Sequence, residues 1–209
     1  MLRAPNLAQF KWLTHGFGER DSEYPENVAT LKQIHSGLVW EAVRACGDRF
    51  AEGDALISAE PGVMVGIRTA DCVPILLADE RTRAVAAAHA GWRGTAHNIA
   101  ASVVNEMRKR YGSRVEDLHA AIGPSIGACC YEVGADVARQ FGTWCPDLDT
   151  AAGPVHLDLP AINKIQLGEI GVPDVWIAGE CTFCLPERYF SFRREKEQAG
   201  RMLSFIGAG

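Results

Sequence analysis

The sequence predicts a single mixed α/β domain, on three observations: short apolar runs punctuated by turn residues, two stretches whose apolar residues recur at helical spacing, and a composition able to fill one core. The chain has 209 residues, 47% of them hydrophobic and 22% charged. Surface scaling for that mass gives roughly 9,500 Å² folded against about 33,000 Å² unfolded, so no disulfide or metal staple is required for stability. No repeat, linker or low-complexity stretch divides the chain, and residues 1–209 are expected to form one domain.

The elements follow in order. DALIS, VMVGI, PILLAD and AVAAAHA, separated by EPG and ERTR, read as successive short strands, some of them hairpin partners. The last runs into GWRGT, after which Ala96, Ile99, Ala100, Val103, Val104, Met107 and Tyr111 fall at helical spacing. Lys109 and Arg110 lie in the last turn of that helix and Gly112 beyond it, as a helix C-terminus prefers. His89 therefore stands at a strand end, where the chain turns into a helix. HAAIGPSIGACC is a further apolar run, leading through a Gly-rich turn to a short helix, ADVARQF, that Gly142 closes. Asp158 caps a helix beginning near Pro160, with Ile162, Ile165 and Ile170 on one side and Gly171 after it. DVWIAG, RYFSFRRE and RMLSFIG read as the final strands.

Charge and targeting signals exclude whole classes of function. Lys plus Arg total 21 against 26 Asp plus Glu, a net charge of −5 without any block of like charge. An extended nucleic-acid surface is excluded, while a local basic pocket for one small anion is not. The opening MLRAPNLAQFKWLTHG lacks the apolar core of a signal peptide, and the longest run without Asp, Glu, Lys or Arg, Leu118 to Tyr131, is 14 residues broken by Gly and Pro. A soluble cytoplasmic protein without membrane contact is the expectation. In that reducing setting the seven cysteines read as buried thiols, metal ligands or a nucleophile rather than as a disulfide framework.

Three segments place reactive side chains beside turn residues: KQIHS with His35, RTADCVP with Cys72 and AAAHAGWRG with His89. Two imidazoles and a thiolate suffice for a catalytic zinc, which takes three protein ligands and leaves a fourth position open. The same residues suit a thiol hydrolase in which a histidine deprotonates Cys72, and a core thiol with two solvent-facing imidazoles has the same letters. Asp71 either orients a histidine or faces the other side of its strand. Cys181 and Cys184 have the C-x-x-C form of half a zinc ribbon or a redox couple. No second C-x-x-C follows, so they read as structural, and the vicinal Cys129 and Cys130 read as packing after a turn. The loop Gly123 to Gly127, with Ser125, either aims N–H groups at an anion or is a plain turn. Arg93, near a helix start, is a better anion candidate, or packs over Trp92. Arg193, Arg194 and Arg201 either supply guanidinium forks or flank a charged turn with Glu195 and Glu197.

KQIHS, GDALIS, GIRTADCVPILLAD, AAAHAGWRGTA, AIGPSIGACCYEVG and a terminal RRE followed by AGRMLSFI, in this order, resemble the YfiH family, also called the laccase-domain or peptidoglycan editing factor family. The resemblance runs from Thr14 to Ile206. It implies a purine nucleoside phosphorylase that also deaminates adenosine and cleaves methylthioadenosine, with zinc held by His35, Cys72 and His89, the triplet already singled out. It also implies an α/β/β/α sandwich of mixed β-sheets related to the catalytic domains of deamidating toxins, with a purine nucleoside and phosphate as small-molecule partners. Arg93, Asp71 and Ser125 are then the candidates for contacting substrate or phosphate, and Asp71, His97 and Glu180, in that order, for the general acid. One alternative is an amidase that edits mis-loaded UDP-MurNAc-amino acid precursors of peptidoglycan through Cys72 or a zinc-activated water. A second is a copper-dependent polyphenol oxidase, for which one cysteine and a few histidines without a His-x-His pair fall short of several copper centres. In one respect the chain departs from the family. His15-Gly16-Phe17 is followed by His35 after about 20 residues, where the family has a longer stretch with a Gly-Gly loop and an Asn-Arg pair, so a segment that covers substrate is shortened.

Overall fold

The computed structural model describes residues 1–147 and 153–209. Its strands in chain order are β1 (Leu13–Phe17), β2 (Val28–Ala29), β3 (Val39–Glu41), β4 (Ala55–Ser58), β5 (Met64–Thr69), β6 (Val73–Asp79), β7 (Val85–Ala90), β8 (Leu118–Ile122), β9 (Glu132–Val133), β10 (Val155–His156), β11 (Asp174–Ile177) and β12 (Met202–Ala208). The helices are α1 (Pro5–Ala8), α2 (Trp92–Ala96), α3 (Ile99–Tyr111), α4 (Ala135–Ala138), α5 (Leu159–Glu169) and α6 (Phe192–Glu195). A six-stranded mixed sheet has the order β11-β8-β6-β7-β4-β3 and a four-stranded one the order β1-β12-β5-β2, with β9 and β10 forming a small ribbon.

Every residue of β6 and β7 is buried, which a strand achieves only when both faces of its sheet are covered. Ile75, Leu77, Ala86 and Ala88 pack on one face with Val103, Val104 and Met107 of α3 and Ile162 of α5. Their neighbours Leu76, Ala78, Val85 and Ala87 point the other way, onto Val65, Ile67 and Ile206 of the smaller sheet. The period of two in the strands thus builds two cores, one helix on sheet and one sheet on sheet. The outer face of the smaller sheet carries a minor cluster of Val28, Leu203, Phe205, Tyr24 and Met64 with no helical residue in it. Among the described residues no helix contributes a side chain to that cluster, so the second helical layer of the expected sandwich is not seen over it. The accessible surface, 9332 Å², agrees with the scaling expectation, and among the described residues no helix is long and apolar enough to cross a membrane.

Hairpin partners are found as expected, since β6 and β7 pair antiparallel, while β5 crosses to the smaller sheet to pair with β12 and β2 and β4 pairs with β7 and β3. Two expectations are corrected. The helix expected from Ala96 to Tyr111 is interrupted: α2 lies within GWRGTA and ends at Ala96, and Asn98 takes the left-handed conformation at φ 54°, its side chain accepting from the Ala101 N–H, to start α3 afresh. RYFSFRRE is no strand, because the Ser191 hydroxyl accepts from Arg194 N–H and caps the turn α6. Asp158 caps α5 as expected, accepting from Ala161 N–H at 2.9 Å.

The topology gathers loops at one edge of the larger sheet. β6 and β7 are antiparallel with Pro74 opposite His89, so the start of β6 lies beside the end of β7. β4 is antiparallel to β7 with Ala55 opposite Ala88, which places Asp54 there too. The parallel pair β8 and β11 ends at the register Ile122 and Ile177, and Gly123 N–H donates to Pro74 carbonyl.

Candidate metal centre

Cys72 immediately precedes β6 and His89 is the penultimate residue of β7, so the sheet register sets them side by side. His35 arrives from the loop before β3. The ligating atoms of these three residues all lie within 4.8 Å of one another, and the two imidazoles meet edge to face at 4.9 Å between centroids. Gly91 explains how they fit: a Cβ there would sit 3.0 Å from both Cys72 Sγ and His35 Cδ2.

Asp54, fully buried, organises both histidines and is the residue that sequence reasoning missed. One carboxylate oxygen lies 2.8 Å from His89 Nδ1, which leaves Nε2 for the thiol or a metal. The carboxylate also accepts the backbone N–H groups of Ile34, His35 and Ser36 at 3.3, 3.0 and 2.5 Å, and the Ser36 hydroxyl at 2.7 Å. Three successive N–H groups around one anion form a nest, and that nest holds His35 in the left-handed region at φ 59°, where a non-glycine residue stays only when its surroundings dictate it. The signal available in the sequence was a lone Asp immediately before the wholly apolar ALIS, inside the GDALIS motif. The Asp54 carboxyl is brought down to about 2: burial opposes ionisation, but the bonds from His89 and Ser36 outweigh it.

Cys72 and His89 perturb each other in the same sense. Burial alone would raise the thiol, yet the charge of His89 and hydrogen bonds from His35 and His89 pull it well below the ordinary range. Burial alone would lower His89, yet the Cys72 charge and the bond to Asp54 raise it. The arrangement favours a thiolate, the state needed of a metal ligand or a nucleophile. Two imidazoles, a thiolate and a carboxylate behind one imidazole are also the donor set of a three-ligand zinc site with an open position. The residues fit one such ion. They do not form the several centres of a multi-copper oxidase, since the only other close group of ligating side chains among the described residues is four cysteines.

The triad opens into a cavity of about 740 Å³, a size suited to a small organic ligand. Its walls include Arg49, Arg68, Arg193, Lys196 and Arg201, with Tyr131 and Phe192 supplying aromatic faces. Arg68 is paired with Asp48 at 2.7 Å, whereas the other four cations have no carboxylate partner among the described residues.

The remaining candidates divide between the cavity and other surroundings. Asp71 is at the cavity but orients no histidine, because its carboxylate accepts Thr182 and Ser191 hydroxyls at 2.7 and 3.0 Å and Arg193 N–H at 2.6 Å. Arg93 is exposed and stacks over Trp92 at 4.3 Å, outside the cavity lining. Ser125 is buried, and its backbone joins the β8 and β11 loops by accepting Thr182 N–H at 3.0 Å. Glu180 binds Tyr189 and pairs with Arg188, and His97 is an exposed residue at the end of α2. Of the three terminal guanidiniums, Arg193 and Arg201 line the cavity. Arg194 turns away to donate to the carbonyls of Thr182, Phe183 and Tyr189.

Comparison with known proteins adds the following. Residues 18–209 match the family described as multi-copper polyphenol oxidoreductase laccase. The chain is 43% identical over 187 residues, 87% of its length and 70% of the relative's, to a protein named purine nucleoside phosphorylase from Deinococcus radiodurans. It is 41% identical over 161 residues, 73% of its length and 61% of the relative's, to one named adenosine deaminase RL5 from an unknown prokaryotic organism. The crystal structure of Bacillus licheniformis hypothetical protein YfiH superposes with a TM-score of 0.86 at 27% identity, covering 95% of this chain and 94% of that one.

Proposed function

This chain belongs to the YfiH, or laccase-domain, family, and from that membership and the geometry we propose that it is a zinc-dependent purine nucleoside phosphorylase with adenosine deaminase activity. The observation that carries the reading is the opening of a His35, Cys72 and His89 triad into a cavity with two aromatic side chains and four cations that have no carboxylate partner among the described residues. His35, Cys72 and His89 would hold the zinc, which when bound would supply Lewis acidity toward water or a phosphate oxygen. Arg49, Arg193, Lys196 and Arg201 neutralise the phosphate and position it against the sugar. Tyr131 and Phe192 pack against the purine. Burial, then the nearby Cys72 charge, push the Tyr131 hydroxyl up to about 12, so it stays protonated and donates a hydrogen bond to the departing base. Asp54 acts through His89 and His35 as a positioning residue. The relatives named purine nucleoside phosphorylase and adenosine deaminase support both halves of the reading.

The test is to incubate purified protein with inosine or adenosine and phosphate and to assay free base, ribose 1-phosphate and ammonia. All three are expected, and none with Cys72→Ala. A zinc-loaded protein that yields none of the three refutes the proposal.

A second reading, amidase editing of mis-loaded peptidoglycan precursors, is favoured by the thiolate, imidazole and carboxylate series of Cys72, His89 and Asp54, an activated-nucleophile arrangement. It requires release of the wrong amino acid by metal-free protein and loss of that release on alkylating Cys72.

A further inference from the structure

The cysteines that look unrelated in the sequence come together in space. Cys129 and Cys130 lie in the loop after β8, and Cys181 and Cys184 in the loop after β11. Because β8 and β11 are parallel neighbours, both loops leave the same sheet edge. A parallel bridge joins Ser125 to Cys181, with Ser125 N–H donating to Glu180 carbonyl at 3.3 Å and Thr182 N–H to Ser125 carbonyl at 3.0 Å. All four Sγ atoms lie within 4.8 Å of one another, with Cys184 Sγ 3.3 Å from Cys130 Sγ and 3.7 Å from Cys129 Sγ.

From this cluster we infer a structural zinc site, closed by the four thiolates of Cys129, Cys130, Cys181 and Cys184. Zinc–sulfur bonds of about 2.3 Å in a tetrahedron set the sulfurs about 3.8 Å apart, within the range of separations found here. A disulfide needs two thiols and gives no reason for four to converge. The Gly127 N–H donates to Cys181 Sγ at 3.3 Å, as backbone amides do around metal-bound thiolates, and no carboxylate or imidazole of the described residues joins the set. Tetrahedral sulfur-only donor sets hold zinc or iron, and of the two zinc is the redox-inert ion of closed four-cysteine structural sites. Binding releases the thiol protons to solvent, and the exposure of Cys129 and Cys184 leaves an open route for the ion.

The position of the site gives it a role. It ties the loop carrying Ile126 and Tyr131, which line the cavity, to the loop carrying Thr182. Thr182 in turn holds Asp71, the neighbour of Cys72, at 2.7 Å. The zinc clamp thus braces the part of the cavity wall that carries Ile126 and Tyr131 and takes no part in substrate chemistry. It is independent of the reaction proposed above.

The experiment uses the full chain carrying Cys72→Ala, which removes the thiolate of the other centre. Expected are one zinc per chain by elemental analysis and four sulfur neighbours at about 2.3 Å by zinc-edge X-ray absorption. The cobalt form should show tetrahedral tetrathiolate bands. In the otherwise native chain, Cys181→Ser with Cys184→Ser should lose one of two zinc ions and keep the one at His35, Cys72 and His89. If that variant does not fold, the absorption spectrum of Cys72→Ala still decides. Cys72→Ala protein with iron in place of zinc, with a Cys130 to Cys184 disulfide by mass spectrometry, or without metal and with four freely alkylated thiols overturns the inference.

Discussion

Asp54→Asn exchanges one carboxylate oxygen for an NH₂ group at the point on which both histidines depend. The wild-type carboxylate accepts from His89 Nδ1 at 2.8 Å, from three backbone N–H groups at 2.5 to 3.3 Å and from the Ser36 hydroxyl at 2.7 Å. An amide keeps one acceptor and turns a donor toward the rest, so at least two of these contacts become donor against donor. Hydrogen bonds to a charged group contribute about 1.5–3 kcal/mol each, and losing two removes about 3–6 kcal/mol, divided between the stability of the 34–36 loop and the affinity of the site. For metal alone, loss of the partner behind a ligating histidine costs about 10–100-fold, or about 1.4–2.8 kcal/mol. Competition with a chromophoric chelator measures zinc affinity, and thermal denaturation in parallel reports folding. The Cys181→Ser, Cys184→Ser background isolates the triad from the four-cysteine site. A folded Asp54→Asn protein that binds zinc as tightly as its parent would show that Asp54 does not position the histidines.

Three other perturbations test separate parts of the molecule. Gly91→Ala puts a methyl group 3.0 Å from Cys72 Sγ and from His35 Cδ2, so zinc affinity at the triad should fall while the melting temperature changes little; unchanged affinity means that the triad does not need this close approach. Arg49→Ala combined with Arg201→Ala should raise the KM for phosphate at least about tenfold, each charge-assisted bond contributing about 1.5–3 kcal/mol; a KM for phosphate that does not move places the anion elsewhere. His15 is buried, its Nε2 accepts Ala4 N–H at 3.0 Å, and burial followed by the Arg3 charge hold its imidazole down to about 4 from 6.5. The unfolded chain takes up this proton first, so the stability is full above pH 6.5 and is lost as pH falls toward 4, by about 3 kcal/mol at about 1.4 per pH unit. Urea unfolding across that range should show the fall in wild type and a flatter profile in His15→Gln, and identical profiles would assign the acid sensitivity to other groups.

Legibility in the sequence followed the range of the forces involved. Strands β4 to β8, β11 and β12 were visible because apolar runs between turn residues are local patterns, and α5 because Asp158 and its helix are neighbours. Pairing was not visible, since β5 joins β12 across more than a hundred residues and leaves its neighbours β4 and β6 in the other sheet. RYFSFRRE alternates like a strand, but the capping hydroxyl of Ser191 and the Asp71 carboxylate, which receives Ser191 hydroxyl and Arg193 N–H, outweigh the alternation.

By itself the sequence determined the family, the mixed α/β class and the His35, Cys72 and His89 triplet, because these reside in contiguous motifs whose residues sit beside turns. Only the tertiary structure decided what those residues face. Tertiary packing set Asp54 behind the His89 imidazole and under the backbone of residues 34–36, turned Asp71 toward Thr182 and Ser191, left Arg93 on Trp92 and brought Arg49, Arg193, Lys196 and Arg201 to one cavity. It also converted two unremarkable cysteine pairs, about 50 residues apart, into one four-sulfur cluster. Local propensity acts over a few residues, whereas a binding site is assembled from strand ends whose neighbours are chosen by burying two faces of one sheet at once.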